Sequence, residues 1–409
     1  MQSRIIIPQS NFLMADFRAR STVLVTCPKR TSPFLREEIE SLGFPILAEF
    51  PTGVEIEGTL EDTMLLNLHV RTGYHVHFLL KSFIAATPDG LYKHISEIPW
   101  EDYIEPDGYL SVVSTVDNPN ITDSRFANVK CKDAIVDRMR HVTGRRPDSG
   151  SERSGVVVYL FWRGTSCRVF LDTSGEPLTK RGYRKIPYKA PMQESLAAAV
   201  ILSTGWRGDG NLVNPMCGSG TLAIEAAMIG LNRAPGLLRE NFAFVHLRGF
   251  DPEHWAALRK RAKSAATRKI DGRIVVSDID EGAVMAARKN AANAGVDHLM
   301  DFHVCDFAAT PVPEGGGIVM LNPEYGARLG TEVELEETYH RIGDFFKKDC
   351  RGYTGYIFTG NPHLAKQVGL RTKRKIPFFN TTLDCRLLEY ELYEGSRKHS
   401  TADEQEQQS

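Results

Sequence analysis

The chain has 409 residues, more than one compact core ordinarily holds, so two or three domains are expected. Its 50 basic and 51 acidic side chains leave a formal net charge of -1, so any nucleic-acid surface must come from local basic clusters. The 7 cysteines are scattered without a C-x-x-C pair. This argues against a zinc ribbon, an iron–sulfur cluster or a disulfide framework, and fits a reducing, cytoplasmic compartment with no metal.

Ile5-Ile6-Ile7 opens an apolar run that Pro8 breaks at once, too short for a signal peptide, and no later run could span a bilayer. Residues 1–13 read as an upstream extension, with disorder expected over 1–20. The alternation in Thr22–Thr26 predicts a strand. A helix follows over Pro33–Leu42, ended by Gly43, then strands over Phe44–Phe50 and Gly53–Glu57 and a helix over Thr59–Leu68. This β-α-β-β-α order predicts a ferredoxin-like unit over 21–72.

A second unit, 73–171, has strand patterns at His75–Leu80, Tyr109–Val116, Gly155–Trp162 and Cys167–Leu171. Its helix Asp123–His141 carries Arg125, Lys130, Lys132, Arg138 and Arg140, which suit RNA phosphates but equally a solvated helix face. Residues 172–190 form a Gly- and Pro-punctuated linker. In it Lys180, Arg181, Tyr183, Arg184 and Lys185 interleave cations with an aromatic, a pattern suited to single-stranded nucleic acid and also to a plain linker.

From Pro191 onward helix and strand alternate. Strands are predicted at Leu212–Asn214, Gly272–Val276, Asp301–Val304, Gly317–Leu321, Gly352–Thr359 and Leu383–Leu392, giving a doubly wound, mostly parallel α/β sheet over 191–394. Residues 395–409 lack an apolar anchor and are expected to be disordered.

Four loops carry the chemistry. Asn214-Pro215-Met216-Cys217-Gly218-Ser219-Gly220-Thr221 lies between a strand and a helix, and Gly218 and Gly220 permit a sharp turn and close approach to a ligand. No Lys follows Gly220, as a Walker A loop requires, and the acid of a dinucleotide fold is missing at its usual distance. Asp278, ending the second strand, is placed to accept both hydroxyls of an adenosine ribose. Asp306, after the third strand, is placed to accept from an adenine amino group. After the fourth strand comes Asn322-Pro323-Glu324-Tyr325. The Asn322 side-chain oxygen and the Pro323 carbonyl can each accept one N–H of an exocyclic amine, aiming its lone pair at a methyl sulfonium, while Tyr325 stacks on the base. The base must be unpaired or flipped to reach them.

These loops resemble the RNA guanine-N2 methyltransferase family typified by RlmL. So do Lys132–Asp137, Asp172–Leu178 with Lys180–Arg184, and Ala190-Pro191 with Glu194 and Leu196-Ala197-Ala198. The resemblance implies ferredoxin-like and THUMP α+β domains ahead of a Rossmann-like class I methyltransferase whose last strand is antiparallel. It implies S-adenosylmethionine (SAM) held by Asn214, Pro215, Cys217, Gly218, Gly220, Thr221, Asp278 and Asp306, and a target base positioned by Asn322, Pro323 and Tyr325. It further implies RNA, ribosomal in the first instance, gripped through Lys132, Arg138, Arg140, Arg181, Tyr183 and Arg184. A transfer-RNA enzyme and a catalytically weakened RNA-binding or assembly factor are the alternatives. The second is raised by Glu324, which stands where the family has a second proline. Some relatives add another methyltransferase domain; this chain is expected to be monofunctional.

Overall fold

Two sheets form the framework of this computed structural model, which describes residues 14–118, 121, 123–186, 188–189, 191–324 and 332–393. The expected extension over 1–13 and the tail from 394 lie outside the described residues. The chain divides into two compact units.

Of the described residues, the first unit comprises those within 14–26, 36–178 and 239–260. Its strands are β1 (Ser21–Thr26), β2 (Ile46–Phe50), β3 (Gly53–Gly58), β4 (His75–Ile84), β5 (Tyr109–Asp117), β6 (Asp148–Gly150), β7 (Val156–Arg163) and β8 (Ser166–Asp172), joined in one sheet of order β2-β3-β1-β4-β8-β7-β5-β6. The two expected N-terminal units therefore share a sheet, because β4 pairs with β1 on one side and β8 on the other. The helices are α2 (Leu60–His69), α3 (Pro88–Ser96) and α4 (Ser124–Thr143), with the part of α1 (Ser32–Ser41) from Arg36 on. Thr59 and Asp62 form a capping box at the start of α2, and Gly144 at φ 71° ends α4.

The second unit comprises the described residues within 27–35, 179–238 and 261–393. It holds helices α5 (Glu194–Thr204) and α6 (Thr221–Gly230), and beyond α7 (Pro252–Ala265) also α8 (Glu281–Ala294), α9 (Glu332–Lys348) and α10 (Pro362–Gln367). Its strands are β9 (Asn211–Asn214), β10 (Ile274–Asp278), β11 (Met300–Val304), β12 (Gly317–Leu321), β13 (Tyr353–Thr359), β14 (Arg374–Asn380) and β15 (Leu383–Glu391). Their order is β11-β10-β9-β12-β13-β15-β14, with β9 to β13 parallel and β15 antiparallel to both neighbours. Both faces are covered, as a parallel sheet requires. Leu212, Val276 and Met320 pack toward α5 and α6, while their neighbours Val213, Val275 and Val319 pack toward α9. This is the doubly wound sheet expected from the helix–strand alternation, with the antiparallel last strand that the family resemblance implies.

Three features depart from expectation. The edge strand β14 and the short β6 have no strand signal strong enough to stand out. The stretch 239–260, interrupting the second unit between α6 and β10, packs with the first. There Arg239 donates to the carbonyls of Ser174, Glu176 and Pro177 at 3.1, 2.9 and 2.7 Å, and Phe242 and Phe244 meet Trp255 edge-on. No helix among the described residues is long and apolar enough to cross a membrane.

Candidate active site in the second unit

Strand order reverses at β9, which pairs with β10 on one side and β12 on the other. In such sheets ligands bind in the crevice beyond the strands' C-terminal ends at that switch point. The four loops singled out in the sequence all leave the sheet at this edge, after β9, β10, β11 and β12.

The first loop is held from several sides. Asn214 is buried, and its Nδ2 donates to the Met320 carbonyl on β12 at 2.8 Å. Its Oδ1 has no hydrogen-bond partner among the described residues. Met216 takes φ 55°, a left-handed conformation that non-glycine residues keep only where the surroundings impose it. The Cys217 N–H donates to the Ser277 carbonyl at 2.9 Å. At Gly218 (φ 54°) the backbone N–H donates to Asp278 Oδ2 at 2.9 Å, and the space a Cβ would enter is open. Gly220 differs, since a Cβ there would lie 2.9 Å from that of Ala287, so α8 and the loop approach only because Gly220 has none.

Asp278 also accepts the Asp280 N–H on Oδ1 at 3.0 Å, so one carboxylate sets the course of two loops. Asp280 caps α8 by accepting from the Gly282 N–H at 2.8 Å. Its other oxygen accepts from the Tyr188 hydroxyl, which lowers the Asp280 pKa and raises that of Tyr188 to about 12. Asp306 accepts from the Ala308 N–H at 2.9 Å and from Arg341 at 2.7 Å. Burial pushes its pKa up, but these two bonds and the guanidinium charge outweigh that and leave it depressed and anionic at neutral pH. Asn322 is half-buried with its Oδ1 unpartnered among the described residues, Pro323 is buried, and Glu324 is exposed. Tyr325 lies outside the described residues.

The linker residues call for a correction. Arg181 and Tyr183, expected to face RNA, are each 1% exposed. Arg181 Nε lies 3.5 Å from Glu225 Oε1, and the Tyr183 hydroxyl donates to the same oxygen at 3.0 Å. Arg184, largely covered, donates to the Met192 carbonyl at 2.6 Å and to Thr221 Oγ1 at 3.0 Å, and pairs with Glu194 at 3.4 Å. Charges this deep need internal partners, so the segment braces the glycine loop from inside. On α4 of the first unit, Arg138 is tied to Glu101 at 2.7 and 2.5 Å and Lys132 to Asp133 at 2.8 Å, while Arg140 is exposed.

Sequence reasoning missed Asn290. Fully buried on α8, it donates to the Ser219 and Ile186 carbonyls at 3.2 and 3.0 Å and accepts from the Ile186 N–H, joining the glycine loop to the linker. Nothing local distinguishes it from any other helical asparagine.

A model of the RMKL-like methyltransferase domain matches residues 181–389. The chain belongs to this methyltransferase family. A model of the RlmL ferredoxin-like domain matches 22–77 and a THUMP model matches 85–172. Among relatives of these RMKL-like methyltransferases, a ribosomal RNA large subunit methyltransferase K/L of Syntrophotalea carbinolica is 37% identical over 90% of this chain and 53% of its own length. The chain spans about half the length of the K/L relatives it matches. A putative RNA methyltransferase of Synechocystis sp. is 34% identical over 87% of this chain and 93% of its own. A putative methyltransferase solved in complex with SAH superimposes with TM-score 0.83 at 26% identity, covering 92% of this chain and 99% of that one. A predicted N6-adenine-specific DNA methylase of Listeria monocytogenes does so with TM-score 0.82 at 28% identity, covering 91% and 97%.

Proposed function

We propose that this methyltransferase takes its methyl group from SAM and places it on the exocyclic N2 of a guanine in RNA, with large-subunit (23S) ribosomal RNA as substrate. The observation that carries the reading is the series of strand-end loops at the switch point, ending in Asn322. Among the described residues its buried side-chain oxygen has no partner, and a buried acceptor is costly unless something fills it. An amine hydrogen of the substrate would do so.

The residues present suit SAM. Gly218 leaves room where a side chain would stand, Asn214 offers a second buried acceptor unpartnered among the described residues, and Asp278 and Asp306 bring carboxylates to the same edge. When bound, SAM supplies an electrophilic methyl group on a sulfonium. Asn214, Pro215, Cys217, Gly218, Gly220 and Thr221 would hold its amino-acid end, Asp278 its ribose and Asp306 its adenine. Asn322 Oδ1 and the Pro323 carbonyl accept the two N–H bonds of the guanine amine, and Tyr325 stacks on the ring. Because that amine is scarcely basic, fixing its orientation contributes more than a strong base would. The names of the K/L and Synechocystis relatives and the THUMP match support an RNA substrate.

The test is to incubate the full chain and SAM with ribosomal RNA from a strain lacking the gene, then digest the RNA and analyse its nucleosides by mass spectrometry. New N2-methylguanosine is expected. Its appearance only in transfer RNA would move the substrate, N6-methyladenosine would move the target atom, and no SAM binding at all would overturn the enzyme reading.

A further inference from the structure

As the edge strand of the second unit's sheet, β14 sends successive side chains to opposite faces. On one face Phe378 is buried in the core, and Phe34 stacks on it with ring centroids 5.8 Å apart and planes 13° from parallel. On the other face Phe379 collects cations. The Lys29 ammonium lies 4.5 Å and the Arg30 guanidinium 4.7 Å from its ring centroid. Directly across the β14–β15 register from Phe379 is Asp384, which pairs with Arg30 at 2.8 Å and also with Arg386. One carboxylate thus serves two guanidinium groups, and the exposed Lys29 adds a third cation, so the cluster is positive. Lys375, four residues before Phe379 and so on the same face, is exposed.

Register puts this cluster at the catalytic edge. Because β15 runs antiparallel to β13, with Arg386 opposite Thr359, the β14–β15 turn lies at the end where β9 to β13 terminate. Counting from β12, which ends at Leu321, β14 is the third strand away, roughly 15 Å across the sheet at ordinary strand spacing.

Backbone strain marks the same place. Among the described residues, the non-glycine residues in the left-handed region are Arg30, Met216, Asn232 and Thr381. Two of the four, Arg30 at 70° and Thr381 at 58°, belong to the two segments that meet here. A β-branched residue in that region is costly, and such strain persists where it serves a site. Covering the edge strand would account for Phe34 and for one Arg–Asp pair, but not for the surplus positive charge.

We propose that Lys29, Arg30 and Arg386, held on Phe379 and Asp384 and extended by Lys375, form a phosphate-binding shelf for the RNA strand flanking the target nucleotide. The ring and the carboxylate fix the cations in place, and the cations meet the backbone without reading sequence. This rests on the RNA methyltransferase reading, and the test keeps the two apart. Binding of a short labelled single-stranded RNA to the full chain is followed by fluorescence anisotropy over a range of salt, independently of turnover. The pair Lys29→Glu and Lys375→Glu, both at exposed positions, should weaken binding by about tenfold or more at low salt and reduce the slope of log K against log salt by about 1.4, two single-strand phosphate contacts. The pair Lys29→Arg and Lys375→Arg should restore both. SAM affinity and the melting temperature should stay at wild-type values. An unchanged affinity and salt slope in the Glu pair would overturn the shelf. Failure of the wild-type chain to methylate guanine while it still binds RNA would count against the catalytic reading alone, and wild-type chain that binds no RNA would sink both.

Discussion

Asn322 and Asp278 show how two polar side chains at one sheet edge take different tasks. Asn322 keeps an oxygen unpartnered among the described residues, so its role is reserved for what binds there. On the proposed reading, replacing it with Ala removes the acceptor for the target amine and leaves the glycine loop intact. Asn322→Ala should therefore lower kcat by about 100-fold or more while SAM affinity, read by calorimetry, stays near wild type. Retained turnover would refute its place in the reaction. Asp278 is already engaged with the N–H groups of Gly218 and Asp280, and the proposed reading gives its remaining lone pairs to the ribose. Asp278→Ala should weaken SAM binding by about 1–3 kcal/mol, a loss that combines a ligand contact with two loop anchors. Unaltered affinity would transfer the ribose contact to another group, and Asp280 is the nearest carboxylate in the chain.

At the scale of elements, charge meant different things in different places. On α4, Arg138 and Arg140 look alike in the sequence. Arg138 is clamped to a Glu101 that is itself 7% exposed, whereas Arg140 is exposed. Arg138→Ala would strand a buried carboxylate and should destabilise the protein by about 3 kcal/mol, measured as a fall in the urea midpoint. Arg140→Ala should leave the midpoint alone and lower RNA affinity; the opposite pattern would exchange their roles. The same distinction explains what was legible beforehand. The parallel strands could be read because both faces are apolar, and the strand-end loops because glycine, proline and acids stand at fixed places in them. Arg181 and Tyr183 misled because a cation–aromatic alternation looks the same on a surface and in the interior. What decides is Glu225, on α6, more than forty residues further along the chain. Likewise β14 gave no signal because an edge strand carrying Arg374, Lys375 and Pro377 protects itself from further pairing with the residues that hide it from a pattern search.

The first unit as a whole has a built-in sensitivity to acid. On β4, His77 is 3% exposed and stacked on Tyr159 at 4.4 Å, and burial pushes its pKa from 6.5 down to about 4 despite the attraction of Asp172. The unfolded chain takes up this proton as pH falls through 6.5, whereas the folded one refuses it until about pH 4. Stability is therefore full above pH 6.5 and should decline by about 3 kcal/mol as pH falls to 4. His77→Phe, which keeps a flat ring against Tyr159, should flatten the urea midpoint between pH 7 and pH 5. An equally steep profile in that variant would place the sensitivity elsewhere.

The stretch 239–260 also has a consequence in time. A ribosome delivers residues in order, and the first unit stays unfinished until Lys260 has emerged, by which point β9, the glycine loop and α6 of the second unit are already outside. Neither unit can complete its fold before the other has begun. Until then the carbonyls of Ser174, Glu176 and Pro177 wait for Arg239, and β9 is outside without its partners β10 and β12. Such exposure invites misassembly. A stop at residue 178 would yield a unit lacking the Phe242, Phe244 and Trp255 rings that complete it.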